Sequence, residues 1–234
     1  MSSKVKIFQI YYTEDQYSKL TEGFVPHFND KHSIYFESGV TYDLVKQGEC
    51  AGHDWFGVVS WKFPKVAYYR VRNKKHLISY EGISKRCENT KAQVIGFRNF
   101  SKGRILDMTN SDRQLRPVYD KLIDRLDIDP RHVYGKRKNI FWNYFLMRTE
   151  HYENYVNSMM SEVIKLFETD EEINQLGNAN SRYDRKFAHR GALPLSKEFE
   201  RETGYDYYPL FPFVLERLIN VYVSVHKLKV EWVL

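Results

Sequence analysis

The carboxylate of Glu216 is the side chain in this sequence that most needs a chemical explanation. It lies in residues 212–218 (PFVLERL), an apolar run that is typical of a buried helix opened by a proline. An ionised carboxylate is costly to bury unless it is paired. One interpretation is a surface stripe on which Arg217 or a lysine pairs with Glu216; the other is a functional role for the carboxylate.

Two segments are rich in cations and contain no acidic residue. The first lies between Asp54 and Glu81, and its cations are Lys62, Lys65, Arg70, Arg72, Lys74 and Lys75. The second lies between Asp129 and Glu150, and its cations are Arg131, Lys136, Arg137, Lys138 and Arg148. Aromatic residues are interleaved with both sets, a combination that suits phosphates and stacked bases. A solvated loop face beside ordinary core rings would have the same composition.

Residues 182–190 (RYDRKFAHR) form a third cationic segment, within a polar stretch that has the composition of a long loop. We expect a mobile loop near residues 174–208. Long loops in compact domains often act as functional lids. A cationic lid that carries Arg185, His189 and Arg190 would close on a diphosphate and exclude water, whereas an exposed disordered loop is the alternative.

The composition is globular and excludes several classes of protein. The 234 residues are 42% hydrophobic and 28% charged, with a mean hydropathy of -0.59, which excludes wholesale disorder, collagen and integral membrane proteins. A net charge of +6 permits a polyanionic partner without requiring one. Cys50 and Cys87 fit neither a disulfide framework nor a zinc site, and the first ten residues lack a signal-peptide pattern. We expect a cytoplasmic protein with no membrane span.

The alternation of strand-like and helix-like segments predicts an α/β fold. The expected strands are residues 5–12, 54–61, 92–97 and 139–147, and the expected helices are residues 40–46 and those that begin at Pro117, Thr149 and Pro212. Residues 23–31 are expected to be a loop. The run 54–61 (DWFGVVSW) is apolar on both faces, as in buried and often parallel sheets. We expect a single domain over residues 1–234, with a mostly parallel central sheet and helices on both faces.

The motifs of several enzyme classes are absent. The sequence has no Gly-x-Gly-x-x-Gly, no Walker phosphate loop, no Gly-x-Ser-x-Gly and no His-Glu-x-x-His. These absences disfavour dehydrogenases, NTPases, hydrolases and metalloproteases.

Three short blocks carry a resemblance to a known family. They are residues 6–12 (KIFQIYY), residues 56–63 (FGVVSWKF), and the pair of residues 142–145 (WNYF) with residues 212–218. In this order they resemble short bacterial and phage glycosyltransferases of the GT-A type. The resemblance implies a Rossmann-like GT-A domain, a nucleotide-diphosphate sugar (a UDP-sugar) as co-substrate, and sugar transfer to an acceptor hydroxyl. Residues 1–110 would then form the nucleotide-sugar-binding half, and residues 111–234 the acceptor-side half.

The resemblance also implies roles for individual residues. Glu216 matches the acidic residue near the start of the last domain helix that deprotonates the acceptor. The donor-binding candidates are Tyr11, Tyr12, Ser60, Trp61, Lys62, Asn143, Arg185, His189, Arg190 and Arg217. At least one of the two adjacent tyrosines should pack in the core, because neighbouring strand residues face opposite ways. A buried, self-satisfied strand residue is the alternative for Asn143.

Metal use is left open by the sequence. Most GT-A enzymes hold a divalent metal with an Asp-x-Asp at the end of a central strand, where this sequence has Ser60, Trp61 and Lys62. Mg²⁺ and Mn²⁺ prefer carboxylate oxygens, so Lys62 would repel the ion but could balance a diphosphate itself. Asp107 is a weak candidate for a lone metal ligand, and a helix or loop cap is the commoner role for such a residue.

The acceptor is also left open. The basic aromatic segments favour hydroxylated or hydroxymethylated pyrimidines in phage DNA, in the cytoplasm of the bacterial host. The residues expected to bind the nucleic acid are Lys65, Arg70, Arg72, Lys74, Lys75, Lys136, Arg137 and Lys138. A cell-surface glycan is the alternative acceptor, and a nucleic-acid-binding module without catalysis is the alternative function.

Overall fold

A six-stranded β-sheet forms the centre of the computed structural model, which describes residues 4–29, 33–71, 74–97, 99–103, 105–107, 112–140, 143–181 and 197–233. The strands in these ranges are β1 (Val5–Tyr11), β2 (Val25–Phe28), β3 (Trp55–Ser60), β4 (Tyr68–Val71), β5 (Lys74–Leu77), β6 (Val94–Gly96), β7 (Asn99–Gly103), β8 (Arg137–Ile140), β9 (Phe145–Arg148) and β10 (Val230–Trp232). The central sheet has the order β10-β6-β9-β3-β1-β2. Strands β4 and β5 form one separate two-stranded sheet, and β7 and β8 form another.

The helices follow the strands in alternation. In the described ranges they are α1 (Glu14–Tyr17), α2 (Phe36–Lys46), α3 (Phe63–Val66), α4 (Tyr80–Asn89), α5 (Asp112–Leu126), α6 (Arg131–Tyr134), α7 (Thr149–Asn154), α8 (Ser161–Thr169), α9 (Glu171–Gly177), α10 (Lys197–Thr203) and α11 (Phe211–Val225). A π-helical segment, Tyr155–Met160, joins α7 to α8. None of these helices is long and apolar enough to cross a bilayer.

Five of the six central strands run in the same direction, which confirms the expected mostly parallel sheet. Strand β1 is parallel to β2 and to β3, β6 is parallel to β10, and only β9 is antiparallel to its neighbours. In the register of this sheet Ile10 is paired with Ser60, and Tyr11 is paired with Phe28. The carboxyl ends of β1, β2 and β3 therefore meet at one edge.

Both faces of the central sheet are buried, because side chains alternate between two hydrophobic clusters. Phe8, Phe56 and Met147 pack on one face with residues of α2, α5, α8 and α11. Ile7 and Leu146 pack on the other face with residues of α3 and α4. This arrangement confirms the predicted helices on both faces, and it explains why β3 is buried at all six positions.

The strands and helices with long apolar runs lie where the sequence predicts them, whereas two other predictions are wrong. Residues 25–28 are strand β2 rather than loop. This strand lies at the sheet edge, where Pro26 is tolerated and the exposed Val25 and Phe28 give no buried pattern. Helix α5 begins at Asp112, so Pro117 lies inside it rather than opening it. The buried side chains of this helix, such as Leu115, offset the backbone hydrogen bond that a proline removes.

The predicted strand 139–147 and the predicted loop also need correction. The first is two strands, β8 and β9, which belong to different sheets because β8 pairs with β7 and β9 pairs with β3 and β6. Within residues 174–208, the last turn of α9 and the whole of α10 are helical. Helix α9 begins where the side chain of Asp170 accepts a hydrogen bond from the N–H of Ile173, at 3.1 Å.

Gly57 tests the close packing of the central sheet. A β-carbon at this position would lie 2.1 Å from Cδ2 of Leu146 and 3.0 Å from the carbonyl oxygen of Phe145. We expect Gly57→Ala to lower the free energy of unfolding by about 1–3 kcal/mol, measured by urea denaturation, because the core is overpacked. Gly82→Ala is the control: Gly82 is exposed in α4, and its added β-carbon would meet only Oγ of Ser79, at 3.5 Å. Equal losses in the two variants would contradict this packing.

Candidate functional site

The candidate site lies at the edge of the sheet where β1, β2 and β3 end. Ligands of open α/β sheets bind outside the carboxyl ends of the strands, because the loops that follow are free to carry polar groups. Strand β9 starts at the same edge, and the hydroxyls of Ser60 and Tyr144 share a hydrogen bond of 3.1 Å there. Tyr144 and Ser60 are both buried, so this bond fixes the end of β3 against the start of β9.

A buried glutamine holds the ends of β1 and β3 together. Gln9 is fully buried, and its Nε2 donates to the carbonyl oxygen of Ser60 at 3.4 Å. Its Oε1 accepts from the N–H of Thr21 at 2.7 Å. Because both ends of the amide are bonded, Gln9 ties the loop after α1 to the two strands that carry the candidate residues.

Tyr12 is the centre of a polar cluster at this edge. Its hydroxyl makes side-chain hydrogen bonds with Asn29 and Glu37, and the carboxylate of Glu216 is close enough to interact with it electrostatically. Burial raises the pKa of Tyr12 well above its ordinary value, the carboxylates of Glu37 and Glu216 raise the pKa further, and the bond with Asn29 lowers it. The phenol is therefore neutral at physiological pH and can donate a hydrogen bond to Glu37.

The structure pairs Glu216 with the adjacent arginine, which is the ionic partner that the sequence suggests. Its Oε2 lies 3.6 Å from Nη1 of Arg217, so the adjacent arginine is an ionic partner. The side chain of Arg217 is only 4% exposed, and its Nη1 also donates to the carbonyl oxygen of Phe213 at 2.7 Å. The side chain of Glu216 is 15% exposed. The carboxylate of Glu216 therefore has a cationic partner in Arg217 and lies within electrostatic range of the phenol of Tyr12.

Tyr11 lies in an aromatic group next to this cluster. Its ring centroid is 5.2 Å from that of Tyr17 and 5.3 Å from that of Phe28. Tyr17 is 49% exposed and Phe28 is 51% exposed. Exposed rings of this kind offer a face on which a planar base can stack.

The residues after β3 bring cations to the same edge. The backbone N–H of Lys62 donates to Oγ of Ser60 at 3.3 Å. The Nζ atoms of Lys62 and Lys65 lie 5.7 and 4.4 Å from the ring centroid of Trp61. Both lysines are exposed. Two ammonium groups therefore lie near the ring of Trp61 and in contact with solvent, at the end of the central strand where a diphosphate could bind.

The second set of cations is separate from this edge. Lys138 lies over the ring of Trp232 in β10, at 4.7 Å, at the opposite side of the sheet from β1 and β2. Nη2 of Arg137 donates to the carbonyl oxygen of Arg131 at 2.6 Å, and burial lowers the pKa of Arg137. Lys136 is exposed. Of the three consecutive cations 136–138, the structure thus leaves Lys136 and Lys138 exposed, whereas Arg137 is half-buried.

Several candidates lie outside the described residues. They are Arg72, Arg185, His189 and Arg190, together with the side chains of Arg70, Lys74, Lys75 and Asp107. Asn143 is half-buried in the turn before β9, next to Tyr144. Among the residues that the structure does describe, no group of three or more His, Cys, Asp and Glu side chains could hold a metal ion.

Three residues of the site have no sequence signal. Asn29, Glu37 and Gln9 belong to no motif, and each reaches the site only through packing: Glu37 in the first turn of α2, Asn29 directly after β2, and Gln9 inside β1. Cavities of about 340 and 320 Å³ occur among the described residues. Both are lined by other residues, so the candidate residues meet at the sheet edge rather than in either cavity.

Comparison with known proteins agrees with this geometry at the level of the fold. No family model matches the sequence, and no curated protein matches it either. Among solved structures, the apo structure of WbbM, a bifunctional glycosyltransferase, is similar over 98% of this chain, with a TM-score of 0.52 and 15% identity. This chain has the fold of part of a glycosyltransferase. It covers 44% of the WbbM chain, less than half of its length.

Tyr12 and Tyr11 are a matched pair for testing the polar cluster. We expect Tyr12→Phe to lower the free energy of unfolding by about 1–3 kcal/mol, because it leaves Glu37 and Asn29 without a bonded partner. Tyr11→Phe should change it by less than about 0.5 kcal/mol, as is usual away from such networks. Urea denaturation measures both variants. A smaller loss for Tyr12→Phe than for Tyr11→Phe would contradict the assignment of the cluster.

Proposed function

We propose that this protein is a glycosyltransferase that moves a sugar from a nucleotide-diphosphate sugar to an acceptor hydroxyl. The observation that carries the proposal is the polar cluster of Tyr12, Glu37 and Glu216 at the carboxyl edge of a sheet with a glycosyltransferase fold. Sugar transfer needs a slot for the base, positive charge for the leaving diphosphate and a carboxylate for the acceptor proton. Each of these has a candidate at this edge.

In the proposed donor site, the base of a UDP-sugar stacks on the ring group of Tyr11, Tyr17 and Phe28, in which Tyr17 and Phe28 are exposed. The diphosphate binds beside Ser60, Trp61 and Lys62, where the two lysines at Trp61 supply the positive charge. Arg185, His189 and Arg190 lie outside the described residues, and in the sequence they supply further positive charge for a diphosphate. Asn143 would bond sugar hydroxyls, and Asp107 stays a candidate for a metal ligand.

In the proposed reaction, Glu216 accepts the proton of the acceptor hydroxyl. The acceptor oxygen forms a bond to the anomeric carbon of the sugar while the bond from that carbon to the diphosphate oxygen breaks, and the diphosphate leaves with the electron pair. Arg217 holds the carboxylate of Glu216 from one side. Tyr12 is neutral and bonded to Glu37, so it does not compete with Glu216 for the proton.

For the acceptor we propose hydroxylated or hydroxymethylated pyrimidines in DNA, in a bacterial cytoplasm. The support is the net charge of +6 and the exposed lysines beside Trp61 and Trp232, since an ammonium group next to an aromatic ring suits a phosphate and a base. Cys50 and Cys87 are both free thiols, as in a reducing compartment. A cell-surface glycan is the second candidate, and the glycosyltransferase fold shared with WbbM is equally consistent with it.

A thermal-shift panel of nucleotide sugars, with and without Mn²⁺, tests the donor. The correct donor at about 100 times its Kd should raise the Tm by about 5–10 °C, because it binds only the folded state.

Glu216→Gln should keep this shift while its turnover falls by about 10²–10⁴-fold, the usual contribution of a general base. Glu150→Gln is the control, since the side chain of Glu150 is 80% exposed. Full turnover in Glu216→Gln would contradict the role of this carboxylate.

The salt dependence of affinity for DNA, together with transfer assays on both acceptors, tests the proposed acceptor. With hydroxymethyl-pyrimidine DNA, Lys65→Glu should reduce the slope of log affinity against log salt by about 1, because one phosphate contact is lost. Lys91→Glu, at an exposed cation outside both basic sets, should leave the slope unchanged. Transfer to glycan acceptors without any transfer to DNA would reject the DNA acceptor and keep the transferase.

A further inference from the structure

Helices α2 and α8 enclose a cavity of about 340 Å³ that the proposed transfer reaction does not use. The volume is in the range of small-molecule sites. Ser161, Ile164, Lys165 and Glu168 line it from α8, at the spacing of one helix face. Gly39, Tyr42 and Asp43 of α2 line it from the opposite side, together with Ser33 and Tyr35, which precede that helix. Asp43, Lys165 and Glu168 are exposed, whereas Gly39 and Ile164 are buried, so the cavity is open to solvent on its charged side.

The hydroxyl groups in this cavity offer both donors and acceptors. Oγ of Ser33 accepts from the N–H of Tyr35 at 3.1 Å, so its own proton is available to donate. Oγ of Ser161 donates to the carbonyl oxygen of Val156 at 2.8 Å, so its oxygen is available to accept. Burial raises the pKa of Tyr35 to about 12, followed by smaller effects of Glu168 and Tyr205, so its hydroxyl keeps its proton at neutral pH.

The charges in the cavity exclude an anionic ligand. The lining contains the carboxylates of Asp43 and Glu168 and the ammonium of Lys165, a formal sum of -1. A phosphate or a nucleotide diphosphate would be repelled by this sum. A neutral ligand with several hydroxyls can accept from Lys165 and donate to both carboxylates.

Two features of the backbone shape this cavity. Gly39 is an interior helix residue, where glycine costs about 1 kcal/mol relative to alanine. A β-carbon there would lie 2.8 Å from Oγ of Ser33, so the glycine keeps the space that Ser33 occupies. The π-helical segment Tyr155–Met160 comes directly before Ser161, and its wider turn rotates the face that α8 presents.

We propose that the cavity between α2 and α8 is an accessory site that binds one neutral sugar residue. The two tyrosines and Ile164 supply apolar surface for the C–H groups of the ring, and the hydroxyls and charges bond its hydroxyls. The site is separate from the transfer centre. At 100° per residue, Glu37 lies on the side of α2 opposite Gly39, so the cavity and Tyr12 contact different sides of this helix.

Saturation-transfer NMR with neutral methyl glycosides of glucose, galactose and mannose tests this site in the full chain. At least one glycoside should bind, and Asp43→Asn and Glu168→Gln should each weaken it by about tenfold or more, through the loss of a charge-assisted hydrogen bond. Glu171→Gln is the matched control, because Glu171 is an exposed residue of α9 outside the cavity. Gly39→Ala should also weaken binding, by displacing Ser33, while its circular dichroism stays that of the wild type.

Three results would overturn the accessory site: no glycoside binds the wild type, the two cavity variants bind as tightly as Glu171→Gln, or Glu216→Gln rather than the cavity variants abolishes binding. The nucleotide-sugar thermal shift is measured on the same variants. Because the cavity variants should keep that shift, failure of the accessory site and failure of the proposed transferase give different results.

Discussion

Burial of the central sheet on both faces is the constraint on which the rest of the structure depends. Side chains inside β1, β3 and β9 alternate between two hydrophobic clusters, so almost no position within these strands is free to do chemistry. Polar groups are therefore confined to the strand ends. Gln9 is a polar residue inside β1, and it is tolerated there because both ends of its buried amide are hydrogen-bonded. The parallel register then brings the ends of β1, β2 and β3 to one edge, where Tyr12, Asn29 and Lys62 follow the strands.

The sequence predicts those parts of the fold whose hydrophobic pattern is local. Strand β3 is apolar at consecutive positions because it is buried on both faces, and the apolar helix α11 begins next to Pro212 as expected. Strand β2 has no such pattern, because it lies at the sheet edge with Val25 and Phe28 exposed. The division of residues 139–147 between β8 and β9 depends on which strands pair, and strand pairing is not a local property of a sequence.

The site is predictable only in part, for a similar reason. Glu216 stands out in the sequence because a carboxylate in an apolar run is unusual. Glu37 and Asn29 do not stand out, since their positions in a first helical turn and after an edge strand are ordinary for their residue types. They become parts of the site because α2 and β2 pack against β1, which brings both to the hydroxyl of Tyr12. The cavity between α2 and α8 likewise appears only once two helices that are far apart in the sequence lie side by side.

The proposed function requires that the carboxyl edge of the sheet binds the nucleotide. Hydrogen–deuterium exchange with UDP tests this requirement most directly. UDP should slow exchange in peptides that contain residues 11–13, 28–29 and 60–62, and leave the cavity-lining residues of α8 unchanged. Slowed exchange confined to α8, or no change in any peptide at saturating UDP, would contradict the proposed function.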